Sequence, residues 1–237
     1  MLSILLLDPI YAQDDSTSVD FQTWIDFTTA HEFNSKWTYT GDYGLRGMVS
    51  GESWTTLYVR PTFKYRIKPI FDVRAGAVLS FTNDDVLDGQ IELRFHQEAN
   101  VKWPEVVGMV FKHKLRFEER FFFYKELDNN FSARVRYHFT VESPDFRLFN
   151  IKGPFYALAS IEFFLPLGEQ TTERYVNQNR IDAGFGQRIS RKFRYEFHYI
   201  WQNSKDTEDG SFNTSANILR LRLYLSTFKS QKTLEDK

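Results

Sequence analysis

Residues 57–67, Leu-Tyr-Val-Arg-Pro-Thr-Phe-Lys-Tyr-Arg-Ile, place an apolar or aromatic side chain at every odd position and a polar or charged one at each even position from Arg60 to Arg66. A period of two is the pattern of a β-strand with one dry and one wet face. It returns at 71–82, 91–103, 107–121, 131–141, 155–165, 193–202 and 217–227. Strands of about 10–13 residues repeated end to end, with few polar interruptions on the dry face, predict an all-β fold: a transmembrane antiparallel β-barrel of about 10–12 strands.

Composition agrees. The chain of 237 residues carries 24 Phe and 12 Tyr, a formal net charge of −1 and no cysteine. Mean hydropathy is −0.45, and no apolar run approaches the ~18 residues of a membrane-spanning helix. Barrel strands look only half hydrophobic, so neither fact speaks against a barrel. Without cysteine there are no disulfides and no thiolate metal sites.

At the start of the chain, Leu2–Leu7 is a short apolar core, and Ala12 precedes the polar stretch Gln13–Ser18. This resembles a secretory signal peptide over 1–12, although no basic residue precedes the core. The expected order is leader 1–12, short segment 13–18, barrel 19–228 and polar tail 229–237. Export places the barrel in the outer membrane of a Gram-negative cell.

Connectors should alternate short and long along a barrel of this kind. The short set comprises 34–36, 68–70, 104–106 and 190–192, with 142–153 a longer member, and reads as periplasmic. The second set, at 49–53, 83–89, 122–130, 166–178 and 203–214, is rich in Asn, Asp, Gly and Ser and reads as extracellular. About eleven strands result, an awkward number, since bacterial barrels normally have an even count. Either Val19–Phe27 is an inserted segment, leaving ten, or one strand is hidden, making twelve. Pro61 in mid-strand removes a ladder donor and predicts a bulge or bend near Arg60-Pro61.

Trp37, Trp54, Trp103 and Trp201 fall near strand ends, as the aromatic girdles at a membrane's two interfaces would. A soluble barrel would reverse the two faces. The unbroken apolar parity at Phe71–Phe81 and Phe155–Leu165 favours the membrane version. The polar parity then crowds the lumen with ions. The expected network comprises Arg94, Glu98, Arg116, Glu118, Arg120, Arg134, Arg136, Glu162, Arg180, Asp182 and Glu196, interlocked through bidentate Arg–carboxylate contacts. Cations exceed acids there, while acids gather in the connectors, which suggests a weakly anion-attracting interior.

The run Leu115-Arg116-Phe117-Glu118-Glu119-Arg120-Phe121 is followed by Ala133-Arg134-Val135-Arg136-Tyr137 and Ser160-Ile161-Glu162-Phe163. Asn179-Arg180 to Gly186 and Tyr199-Ile200-Trp201-Gln202 complete the pattern, with Trp24 early in the chain. Over about residues 18–228 this resembles the outer-membrane barrel family named domain of unknown function 2490. The resemblance implies fold and location, and supplies no catalytic residues.

Catalytic signals are weak. His96 and His198 share strand faces with Glu98 and Glu196, and membership in the lumenal network accounts for them better than acid–base chemistry. No serine sits in a G-x-S-x-G elbow. The acidic stretch 83–88 lacks the spacing of a calcium loop. Basic residues alternate with aromatics at a net charge near zero, which disfavours nucleic acid. The sequence therefore predicts a non-enzymatic structural or accessory barrel with a charge-plugged lumen. A narrow anion-preferring pore and an outer-membrane lipid-modifying enzyme are the alternatives. No cofactor is expected; the expected partners are outer-membrane lipids, lipopolysaccharide and another outer-membrane protein.

Overall fold

The computed structural model describes residues 19–50, 54–84, 89–125, 127–148, 151–167, 178–205 and 212–227. Eleven strands form one closed barrel: β1 (Asp20–Glu32), β2 (Trp37–Ser50), β3 (Trp54–Lys68), β4 (Phe71–Asp84), β5 (Gln90–Lys102) and β6 (Val110–Tyr124). β7 (Asn130–Glu142), β8 (Phe155–Leu167), β9 (Gln178–Arg188), β10 (Phe193–Lys205) and β11 (Phe212–Thr227) follow. The expected leader 1–12, segment 13–18 and tail 229–237 lie outside the described residues.

Each strand pairs antiparallel with its successor. An odd number of antiparallel neighbours leaves the first and last strands running the same way, so closure must be parallel. β1 and β11 do pair in parallel, from Asp20↔Ala216 to His31↔Thr227. The odd count is therefore a real feature of the chain. Val19–Phe27 is not an insertion, since from Asp20 onward it forms the first part of β1, and the described residues close the barrel with no twelfth strand.

Inward side chains are the even-numbered ones in every strand. Trp24, Tyr58, Val78, Ile200 and Ile218 are buried, as are Glu98, Arg116, Glu118 and Arg134. The odd positions carry large apolar groups outward, among them Leu45, Leu57, Phe63, Leu79, Phe95, Leu115, Leu165, Ile181, Phe197 and Leu219, all exposed. Phe155 and Gln187 are buried odd positions at one rim, where connector 143–154 covers them. Phe146 bridges to Phe155, and Gln187 Nε2 donates to the Lys152 carbonyl. The barrel thus has apolar residues outside and ionic ones inside.

Three expectations fail locally. Connector length does not separate the rims. The rim holding the end of β11 carries 33–36, 69–70, 103–109, 143–154 and 189–192, and the other carries 51–53, 85–89, 125–129, 168–177 and 206–211. Strands run further than the alternation suggests, so Phe122, expected in a connector, is buried inside at the end of β6. No bulge forms at Pro61 either. The β3–β4 pairing steps from Val59↔Leu79 to Thr62↔Gly76 in unchanged register, and the shift in that ladder lies at Arg66/Lys68. Gly76 is what accommodates the proline: a Cβ there would collide with the Pro61 carbonyl oxygen.

Candidate functional site in the barrel interior

Strands β5 to β8 build the densest ionic cluster, because their inward positions bring alternating acids and bases into register. Glu98 stands opposite Arg116 and Glu118 opposite Arg134. Glu118, at 0% exposure, lies at the centre. Arg134 Nε donates to its Oε2 at 2.7 Å, and Arg136 Nη1 donates to its Oε1 at 2.8 Å. Arg116 Nη1 and Arg94 Nη1 approach that second oxygen at 3.3 and 3.5 Å. Four guanidinium groups from three strands therefore converge on one carboxylate.

The cluster continues outward from there. Arg116 Nη2 reaches Glu98 at 2.6 Å. Arg94 and Arg120 each donate to Glu92 through Nε at 2.7 Å. Arg136 Nη2 donates to Glu162 at 2.7 Å, with Arg180 Nη1 3.6 Å from the same carboxylate. Charge-assisted bonds of this kind fix both partners' rotamers, and desolvation makes each partner's presence obligatory for the other.

Asp182 and Glu196, expected in that same network, belong to a separate cluster on β9 and β10. There His198 Nδ1 lies 2.8 Å from Asp182 and Nε2 lies 3.1 Å from Glu196. Tyr156 and Tyr224 donate their hydroxyls to the two oxygens of Glu196, at 2.7 and 2.6 Å. With both ring nitrogens and both carboxylate oxygens engaged, His198 is a bracing group.

A third cluster spans β1, β2, β3 and β11. Asp26 is ion-paired with Arg220 and accepts the Tyr58 hydroxyl at 2.6 Å, and Asp42 is ion-paired with Arg60. Asp26, Asp42 and Arg46 are missing from the network expected on sequence grounds, yet their signal is present. All three are even-numbered, like every other inward residue, but three glycines in β2 (Gly41, Gly44 and Gly47) blur the alternation there.

Of the four tryptophans expected as a girdle, Trp37, Trp103 and Trp201 are exposed. Trp54 is a correction: it is 9% exposed and lines the interior, since the even parity of β3 points inward. Most of the acids expected in connectors, including Asp85, Asp88, Glu126, Asp206, Glu208 and Asp209, lie outside the described residues.

Between the clusters is a cavity of about 970 Å³, lined by 17 Lys or Arg residues and 6 Asp or Glu residues. Glu98, Glu118, Asp26 and Asp42 are not in that lining, so cations outnumber acids on the cavity surface. Among the described residues no group of three or more His, Cys, Asp or Glu is arranged to hold a metal ion.

A family model described as a protein of unknown function (DUF2490) matches residues 21–213. No curated protein and no solved structure matches the chain.

Proposed function

Since the chain belongs to the family of proteins of unknown function DUF2490, whose model spans β1 to β10, we propose that it is an integral outer-membrane β-barrel with a lumen braced shut by ion pairs. Its role in this reading is structural or accessory, without catalysis. The carrying observation is the inverted polarity. Glu118 has no exposure, while Leu165 at 61% and Phe197 at 55% stand on the outer surface. A continuous apolar exterior of this extent is unfavourable in water and favourable against hydrocarbon. Exposed Trp37, Trp103 and Trp201 fit the interfacial positions where indoles rest in a bilayer.

Cell fractionation tests the location. The mature chain should remain with the outer membrane through carbonate extraction, and recovery as a soluble periplasmic protein would overturn the reading. Planar-bilayer recording tests the closed lumen, since an accessory barrel should not conduct like a general porin. The cation-lined cavity favours one alternative, a narrow anion-preferring pore. Steady wild-type conductance with anion selectivity would establish that alternative instead.

A further inference from the structure

Guanidinium groups and aromatic rings alternate in an arc across the interior, nearer the rim where β1 begins. Arg46 has its Cζ 4.2 Å from the Trp24 ring centre and 4.7 Å from that of Tyr58. Arg180 lies 5.1 Å from the same indole and 4.8 Å from Phe164. Arg136 and Arg134 complete the arc at 4.7 and 5.1 Å from Phe164. A ring holds a guanidinium by its flat face and leaves the in-plane N–H donors available. Arg134 and Arg136 direct theirs to Glu118 and Glu162, and Arg180 directs its Nε to Gln202.

Arg46 is the exception. Its Nε is buried without an acceptor. Asp26, on the neighbouring strand, is held by Arg220 and Tyr58. Trp54 adds a second orphan: its indole N–H is also buried without an acceptor. Trp54 stands two residues before Thr56, the residue paired with Arg46, so both donors belong to one end of the β2–β3 ladder. Both residues line the cavity where bases outnumber acids. Buried donors without acceptors are unfavourable, and an oxygen-rich anion relieves them.

We propose that this arc is a binding site for a phosphate-bearing ligand, with Arg46 and the Trp54 indole as its oxygen-holding donors. The fork of a guanidinium suits a carboxylate as well as a phosphate. The excess of positive charge around the cavity favours the more highly charged group. The inference goes beyond a bracing lumen, because a barrel closed to ion flow can still hold a ligand from one rim.

Calorimetry on the full-length protein in detergent tests it without reference to membrane location or conductance. The probes are inorganic pyrophosphate and a short-chain phosphatidic acid below its micelle concentration. Saturable binding of pyrophosphate alone identifies a soluble anion, and preferential binding of the lipid identifies a headgroup; either supports the site. Arg46→Gln should weaken binding about tenfold or more, as loss of a charged hydrogen bond does. Arg46→Lys should fall between that variant and wild type. Arg188→Gln removes an inward cation near the opposite rim, where Arg188 stacks on Tyr156 at 3.8 Å, and should bind like wild type. Circular dichroism and heat-modifiable gel mobility verify folding of each variant. Absence of saturable binding to either probe, or equal weakening by Arg46→Gln and Arg188→Gln, would overturn the proposal.

Discussion

Asp26 on the first strand and Arg220 on the last are ion-paired across the parallel ladder that closes the barrel. Parallel pairing is slightly weaker per residue than antiparallel pairing, so the odd strand count makes this seam the place where side chains add most. Tyr58 holds the other oxygen of Asp26 from β3, which ties three strands to one buried carboxylate. Asp26→Ala leaves Arg220 without its ion-pair partner and should cost about 3–5 kcal/mol. Asp145, 47% exposed on its side chain and paired with Arg188 at a rim, should cost at most about 1 kcal/mol when replaced by Ala. Urea unfolding followed by heat-modifiable mobility measures both. Equal losses would show that the seam is not specially dependent on this pair.

Glu118→Ala removes the carboxylate shared by Arg94, Arg116, Arg134 and Arg136. Four guanidinium groups then repel one another in a poorly solvated interior, a loss of about 3–5 kcal/mol. On the closed-lumen proposal these side chains brace the interior between β5 and β8, so the variant should leak more current than wild type. Silence in both urea unfolding and planar-bilayer recording would rule out a closing role for this cluster.

The next residue should behave in the opposite way. Glu119 lies on the outward parity of β6, between Phe95 and Ala133 on the adjoining strands. On an apolar wall a carboxylate is unfavourable, so Glu119→Leu should leave stability in lipid vesicles unchanged or raised. A marked loss on urea titration in vesicles would mean that Glu119 contacts a polar partner on the outer wall. Two adjacent glutamates with opposite outcomes would measure the polarity of the barrel directly.

Much of this interior is legible from alternation alone, because a strand assigns faces by parity and no long-range information is needed. Arg116, Glu118, Arg134 and Arg136 can be placed together in that way. Closure cannot. Whether strand one meets strand eleven depends on contacts about 200 residues apart in sequence, such as Asp20↔Ala216, and local pattern carries no trace of them. Trp54 misleads for a different reason. Its closeness to a strand end suggests an interface, whereas its even number already puts it inside. The division of the ions into separate clusters is also hidden, because it depends on which strand each long side chain reaches across to.

The accommodation of Pro61 makes a last test. A strand proline without a bulge requires its neighbour to yield space, and Gly76 does so. An added Cβ would collide with the Pro61 carbonyl oxygen and meet His96 Cε1 at 2.7 Å and Thr62 Oγ1 at 2.8 Å. The first contact is backbone and cannot rotate away. Gly76→Ala should therefore cost about 1–3 kcal/mol through overpacking. Gly47 faces outward on β2, where an added Cβ would find nothing closer than 3.5 Å, so Gly47→Ala should be neutral or slightly stabilising. The comparison is read as the midpoint of urea unfolding for the two variants. If Gly76→Ala matches Gly47→Ala, β3 and β4 are able to part at Pro61, and the continuous register there is not what keeps the wall closed.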